Sequence, residues 1–203
     1  MNDSELHFLG WGSEKIKYKT PTRCGVIYSI KDKIMKILII TGGNINIEFL
    51  QKKILENEYD QIISADKGLE ALDKIKIKPN YIIGDFDSVD TEILEKYKNI
   101  PITYLKPEKD YTDTHMALKL AIEKGANNIT IIGAIGTRFD HSLANIHILK
   151  EALEKNINAE IIDENNKITL VDKNTIIKKD NNYKYISLIP LTTYAKRSNS
   201  RRV

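Results

Sequence analysis

Between Met35 and Lys155, five short strand-like runs alternate with five helical patterns, and this alternation constrains the fold more than any other feature of the chain. Ile37–Thr41, Gln61–Ser64, Tyr81–Gly84, Ile102–Leu105 and Ile129–Ile132 read as strands. Asn46–Glu56, Lys67–Ile75, Thr91–Tyr97, Thr112–Lys124 and Phe139–Lys155 carry apolar residues at helical spacing. The first strand has four aliphatic residues in succession, which suits a strand covered on both faces. Asp90 reads as a helix start and Gly125 as a helix stop. Tyr104 and Met116 read as core. Strands separated by helices of this length predict an α/β fold, a doubly wound and mostly parallel sheet.

After about residue 158 the helical patterns stop. Ala159–Asp163, Lys167–Val171, Thr175–Lys178 and Tyr185–Ile189 read as short strands joined by polar turns, the beginning of an all-β, sandwich-like unit. Only four strands are there, so that unit is incomplete and needs something over its apolar face. The expected division is therefore an α/β domain over 35–157 and a partial β-sandwich over 158–203.

Composition removes several function classes. No apolar run approaches the roughly 20 residues that span a bilayer, so no membrane association is expected. Residues 1–12 do not form a signal-peptide pattern. Cys24 is the single cysteine, which excludes a disulfide framework and a cysteine-based zinc site. The expected address is cytoplasmic. Net charge is +3, but the excess lies in residues 1–34 and 197–203, and residues 35–196 carry −2. A near-neutral body argues against nucleic acid as a partner. Arg138 is the one arginine in that body, among many lysines. A planar, bidentate contact to phosphate or carboxylate is a common reason to need one.

Ligands of open parallel sheets sit at the carboxyl ends of the strands. The five strands above are followed by Thr41-Gly42-Gly43-Asn44, by Ala65-Asp66-Lys67-Gly68, by Gly84-Asp85-Phe86-Asp87-Ser88, by Lys109-Asp110-Tyr111-Thr112-Asp113 and by Gly136-Thr137-Arg138-Phe139-Asp140-His141. All five should line one edge. Asp66, Asp85, Asp87, Asp110, Asp113 and Asp140 would then repel one another unless a hard divalent cation neutralised them, and carboxylate ligation suits Mg²⁺ bridging phosphates. Lys109 and Arg138 add positive charge for a phosphate chain. Asp85 and Asp87 are two apart, so an extended strand end would point them the same way and send Phe86 to the core. Gly42-Gly43 offers backbone to a phosphate, although a glycine turn after a strand is common and no Walker lysine follows. Asp110 and Asp113 have a simpler reading as helix-start acids. Asp140 and His141 have one as a helix cap and a surface histidine. The pattern suits phosphoryl transfer, which rests on positioning and charge neutralisation.

Taken together, ADKG at 65–68, GDFDS at 84–88, KDYTD at 109–113 and GTRFDHSLAN at 136–145, in that order, resemble the thiamine pyrophosphokinase family over roughly Met35 to Leu191. The resemblance implies transfer of the terminal pyrophosphoryl group of ATP to the hydroxyl of thiamine, giving thiamine diphosphate and AMP. It implies an ATP- and Mg²⁺-binding α/β domain, a thiamine-binding β-sandwich and a homodimer. By motif match, Asp85, Asp87 and Asp113 are the expected Mg²⁺ ligands. Gly42, Gly43, Lys109, Asp110, Thr112, Arg138, His141 and Asn145 are expected around the nucleotide. Asp66 and Asp140 face the metal or the acceptor hydroxyl, and which of them assists its deprotonation stays open. The other readings are a truncated, inactive nucleotide- or metal-binding remnant, or a different Mg²⁺-dependent phosphoryl- or nucleotidyl-group enzyme.

The two ends stand apart. Met35 reads as the natural start, which makes residues 1–34 an upstream extension; a genuine N-terminal hairpin is the alternative. The family continues with further strands where this chain stops. The arginine-rich 197–203 reads as an out-of-frame tail after a one-base slip in an adenine run.

Overall fold

The computed structural model describes residues 34–87, 89, 91–105, 111–173, 175–177 and 180–191. The expectations for 1–33, for Asp90 and for 197–203 fall outside them. The described chain runs β1 (Lys36–Ile40), α1 (Ile47–Glu56), β2 (Gln61–Ala65), α2 (Gly68–Lys74), β3 (Tyr81–Gly84), α3 (Thr91–Lys96), β4 (Ile102–Tyr104), α4 (Asp113–Glu123), β5 (Asn128–Ile132), α5 (Phe139–Glu154), β6 (Asn158–Ile162) and β7 (Lys167–Thr169).

All seven strands form one sheet in the order β4-β3-β2-β1-β5-β6-β7. Every pairing is parallel except β6 with β7, which is antiparallel. Side-chain alternation along β1 explains why the sheet needs cover on both sides. Ile37 and Ile39 join a cluster with Ala117, Leu118 and Ala121 of α4 and Leu149 and Ala152 of α5. Leu38 and Ile40 join Leu50 of α1 and Ala71 and Leu72 of α2 on the other face. Ile37, Leu38, Ile39 and Ile40 are completely buried, and Lys36 at the start of β1 is exposed. A third cluster gathers Leu69, Ile82, Phe86, Val89 and Tyr97 beside α2 and α3.

The helices begin where local chemistry starts them. The Asn46 side chain accepts from the Phe49 N–H at 3.1 Å and caps α1. The Thr112 hydroxyl accepts from the His115 N–H at 3.2 Å and caps α4, which ends before Gly125 at φ +82°.

Two expectations require correction. The strands read as a separate all-β unit begin inside the α/β sheet. β6 pairs parallel with β5 from Asn128↔Asn158 to Ile132↔Ile162, and β7 folds back on it through a turn in which Asp163 Oδ1 accepts from the Asn165 N–H at 2.7 Å. The reason is that α5 precedes β6 and completes another strand-helix-strand crossover. Residues 175–177 and 185–189 form no strand, and Ile176, Tyr185, Ile186 and Ile189 face solvent. An apolar pattern becomes a strand only where a partner edge exists. Tyr104 is not core either. It is 67% exposed, with its ring set edge-on to Phe86 at 5.4 Å.

Candidate active site

The strand order reverses at β1, which has β2 on one side and β5 on the other. In open parallel sheets the crevice beyond such a reversal is where ligands bind. Here it is built by contact between loops. Gly43 donates its N–H to Gly133 O at 2.9 Å, and a Cβ at Gly43 would lie 2.1 Å from that oxygen. Only glycine permits that approach. On its other side the glycine turn meets β2's end: a Cβ at Gly42 would lie 3.1 Å from Lys67 Cβ and 3.4 Å from Asp66 Oδ2. The turns after β1, β2 and β5 are therefore one continuous rim.

Three carboxylates converge on that rim. Oxygens of Asp66, Asp85 and Asp87 lie within 4.8 Å of one another, the first two half-buried and the third exposed. Asp85 and Asp87 do face together, but strand alternation is not the cause. Phe86 sits at φ +58°, a left-handed conformation rare for a bulky residue, and it is this turn that buries its ring. The Asp87 N–H donates to Asp85 Oδ1 at 3.4 Å across it. Asp66 is also left-handed, at φ +49°. Its N–H donates to Ile83 O at 2.9 Å, which ties the end of β2 to β3. Two non-glycine residues of this kind, one after β2 and one after β3, mark backbone held in place by its surroundings.

The electrostatics follow from the crowding. Burial pushes the Asp66 carboxyl above the usual carboxylate range, against the Lys67 N–H, and the charges of Asp113, Asp85 and Asp87 push it further. Asp113 in the first turn of α4 therefore belongs to the same electrostatic group, while the compact trio includes Asp66 in its place. Carboxylates at this spacing are the donor set of a hard divalent cation, so the residues fit such an ion.

The remaining expected residues divide. Arg138 and Asp140 pair with each other, Nη2 to Oδ2 at 2.6 Å and Nε to Oδ1 at 3.3 Å, both exposed at the start of α5. That pairing holds the Asp140 carboxyl below its ordinary range. His141 is exposed, its Nε2 4.0 Å from Asp140 Oδ2. Asn145 is buried and its Nδ2 donates to Ala134 O at 2.8 Å, so it holds the loop after β5 from within. Thr112 is the α4 cap. Lys109 and Asp110 lie outside the described residues. Two cavities of about 260 and 220 Å³ sit away from the rim, around Tyr59 and Glu160, the larger reaching the first residues of β1, β5 and β6.

Three supporting contacts have no sequence signal, because their partners are distant or their role is local. Ser142 Oγ bonds Gly136 and Arg138 backbone around the loop leading into α5. His115 Nε2 lies 2.8 Å from Glu151 Oε2, joining α4 to α5. Thr41 Oγ1 lies 2.8 Å from Thr114 Oγ1.

The family described as thiamin pyrophosphokinase, catalytic domain, matches residues 52–161, which include Asp66, Asp85, Asp87, Asp113 and Asp140. Thiamine pyrophosphokinase of Bacillus subtilis (strain 168) is 37% identical over 139 residues, covering 67% of this chain and 65% of that protein. The chain thus spans a little under two thirds of that relative. Among solved structures, a thiamine pyrophosphokinase from Bacillus subtilis superposes with a TM-score of 0.58 at 32% identity, over 66% of this chain and 63% of the other. The yeast thiamin pyrophosphokinase shares the fold, with a TM-score of 0.60 at 20% identity over 71% and 63%.

Proposed function

The chain belongs to the thiamine pyrophosphokinase family, and we propose that it transfers the pyrophosphoryl group of ATP to the hydroxyl of thiamine. The hydroxyl oxygen attacks the β-phosphorus, the bond from that phosphorus to the α–β bridging oxygen breaks, and AMP leaves with that oxygen. The hydroxyl proton passes to a carboxylate. The observation that carries this reading is the convergence of Asp66, Asp85 and Asp87 on one rim of a chain matching this family.

Asp66, Asp85 and Asp87, with Asp113 beside them, would hold a divalent cation, proposed as Mg²⁺. Such a cation neutralises phosphate charge and orients the transferred group. Gly42 and Gly43 leave the rim open for backbone to approach the phosphate chain. Arg138 offers a planar pair of donors to phosphate oxygens in competition with Asp140. Of the two candidate proton acceptors, Asp66 has the higher proton affinity only in the metal-free chain, since a cation held there would lower it, whereas Asp140 is held ionised by Arg138 and stands outside the compact trio. Lys109, Asp110, Thr112, His141 and Asn145 complete the proposed nucleotide surroundings, Asn145 through the loop it anchors. A homodimer and a cytoplasmic address are part of this proposal; no helix of the described residues is long and apolar enough to cross a membrane.

The test is AMP production from ATP and Mg²⁺, with and without thiamine. AMP that appears only with thiamine is the expected result. ADP, inorganic phosphate or thiamine-independent turnover would overturn the reading. Asp87→Asn should reduce the rate by at least about 100-fold, since even outer partners of a metal site are worth 10- to 100-fold.

A further inference from the structure

Thr41 and Thr114 are 73 residues apart, each is 6% exposed, and their hydroxyl oxygens meet at 2.8 Å. The bond joins the last residue before the Gly42-Gly43 turn to the residue after Asp113. Each end is fixed to one part of the carboxylate group. On the strand side, the Thr41 N–H donates to Ile132 O at 2.9 Å, and the next residue, Gly42, packs against Asp66 with its Cβ position 3.4 Å from Oδ2. On the helix side, Thr114 is covalently next to Asp113, in a first turn whose start the Thr112 cap defines.

One buried hydrogen bond thus spans from the backbone against Asp66 to the backbone that carries Asp113. Mutual repulsion among the carboxylates favours swinging α4 away from the rim. The buried face of α4, with Ala117, Leu118 and Ala121, holds the body of the helix by close packing but offers no directional tie at the end that carries Asp113. A buried hydroxyl pair resists that swing strongly, because neither group can exchange its partner for water. We propose that Thr41 and Thr114 are positioning residues whose bond fixes Asp113 against Asp66, Asp85 and Asp87 and so tightens divalent-cation binding, without either threonine touching the cation. The inference rests on the metal-binding reading of the rim given above.

The test uses the full chain and Mn²⁺ as the probe, with free Mn²⁺ followed by electron paramagnetic resonance and unfolding followed by thermal melts. Thr114→Val and Thr41→Val should each weaken Mn²⁺ binding by about 10- to 100-fold, the range for partners behind a metal's ligands. Thr114→Ser, which keeps the hydroxyl, should bind Mn²⁺ as the parent does. Each single valine strands one buried hydroxyl and should lower the melting temperature, whereas Thr41→Val with Thr114→Val removes both partners and should recover it. Mn²⁺ binding should stay weak in the double variant. Parent-like affinity there, or in Thr114→Val, would overturn the positioning role and leave a packing contact. A parent chain that binds no Mn²⁺ overturns the metal reading itself, and the inference with it.

Discussion

Asp66 is the residue at which backbone, burial and charge meet. Its left-handed backbone ends β2, and its carboxyl faces the Gly42 turn and the Asp85 and Asp87 carboxylates, where burial and the charges of three aspartates favour the protonated form. The sign of the linkage follows. A carboxyl whose folded value is raised contributes stability that is complete below its unfolded value and is lost as pH rises through the folded one. In the metal-free chain, stability attributable to Asp66 should therefore decline as pH climbs above the ordinary carboxylate value of 3.8. Cation binding needs the ionised form, so Mn²⁺ affinity should rise through the same window. Melting temperatures and Mn²⁺ titrations of the parent and of Asp66→Asn, compared pH by pH, check both signs. If the difference between the two chains is flat across that window, Asp66 is not the group concerned.

Among the elements, the site depends on how closely β1 and β5 bring their terminal turns. Gly133 has φ +84°, and a Cβ there would lie 2.3 Å from Thr41 O and 2.9 Å from Ile45. Gly125, at the end of α4, has nearly the same φ, +82°, but a Cβ there would meet nothing within 4 Å. The pair separates backbone strain from close approach. Gly125→Ala should cost about 1–2 kcal/mol, the penalty of left-handed backbone for an L-residue. Gly133→Ala should cost that and more, by about 1–3 kcal/mol for overpacking, and should displace Thr41. Denaturant titrations of the two variants give the comparison, and equal losses would mean the β5 turn yields freely. Helix α5 braces the same loop from behind through Asn145 to Ala134 O and joins α4 through Glu151 and His115.

Across the molecule, the seven-stranded sheet places four loop ends on one rim, and ligand binding there should be read by the whole fold. A ligand that binds only the folded chain stabilises it by mass action, by about 2.7 kcal/mol at 100 times its dissociation constant. ATP with Mg²⁺ should raise the melting temperature. ATP with excess EDTA should raise it much less, because the carboxylate rim repels an unscreened phosphate chain. An equal rise with and without Mg²⁺ would place the nucleotide elsewhere, for example beside the cavities near Tyr59 and Glu160.

Elements and chemistry were legible along the chain. Continuous apolar strands, amphipathic helices and caps such as Asn46 and Thr112 are set by neighbours within a few residues, so β1 to α5 lie close to their predicted places. The acids at strand ends could be read for a related reason, since parallel topology sends those ends to one edge. What depends on distant partners had to wait for packing. The available sheet edge assigned β6 and β7 to the α/β sheet, because a strand pairs with whichever edge is open to it. The left-handed backbone at Asp66 and Phe86 put Asp66 into the compact trio with Asp85 and Asp87. Packing also turned Asn145 inward and brought Thr41 to Thr114. Local propensity acts over a turn of chain, whereas most of these contacts join residues that only the packed sheet brings together.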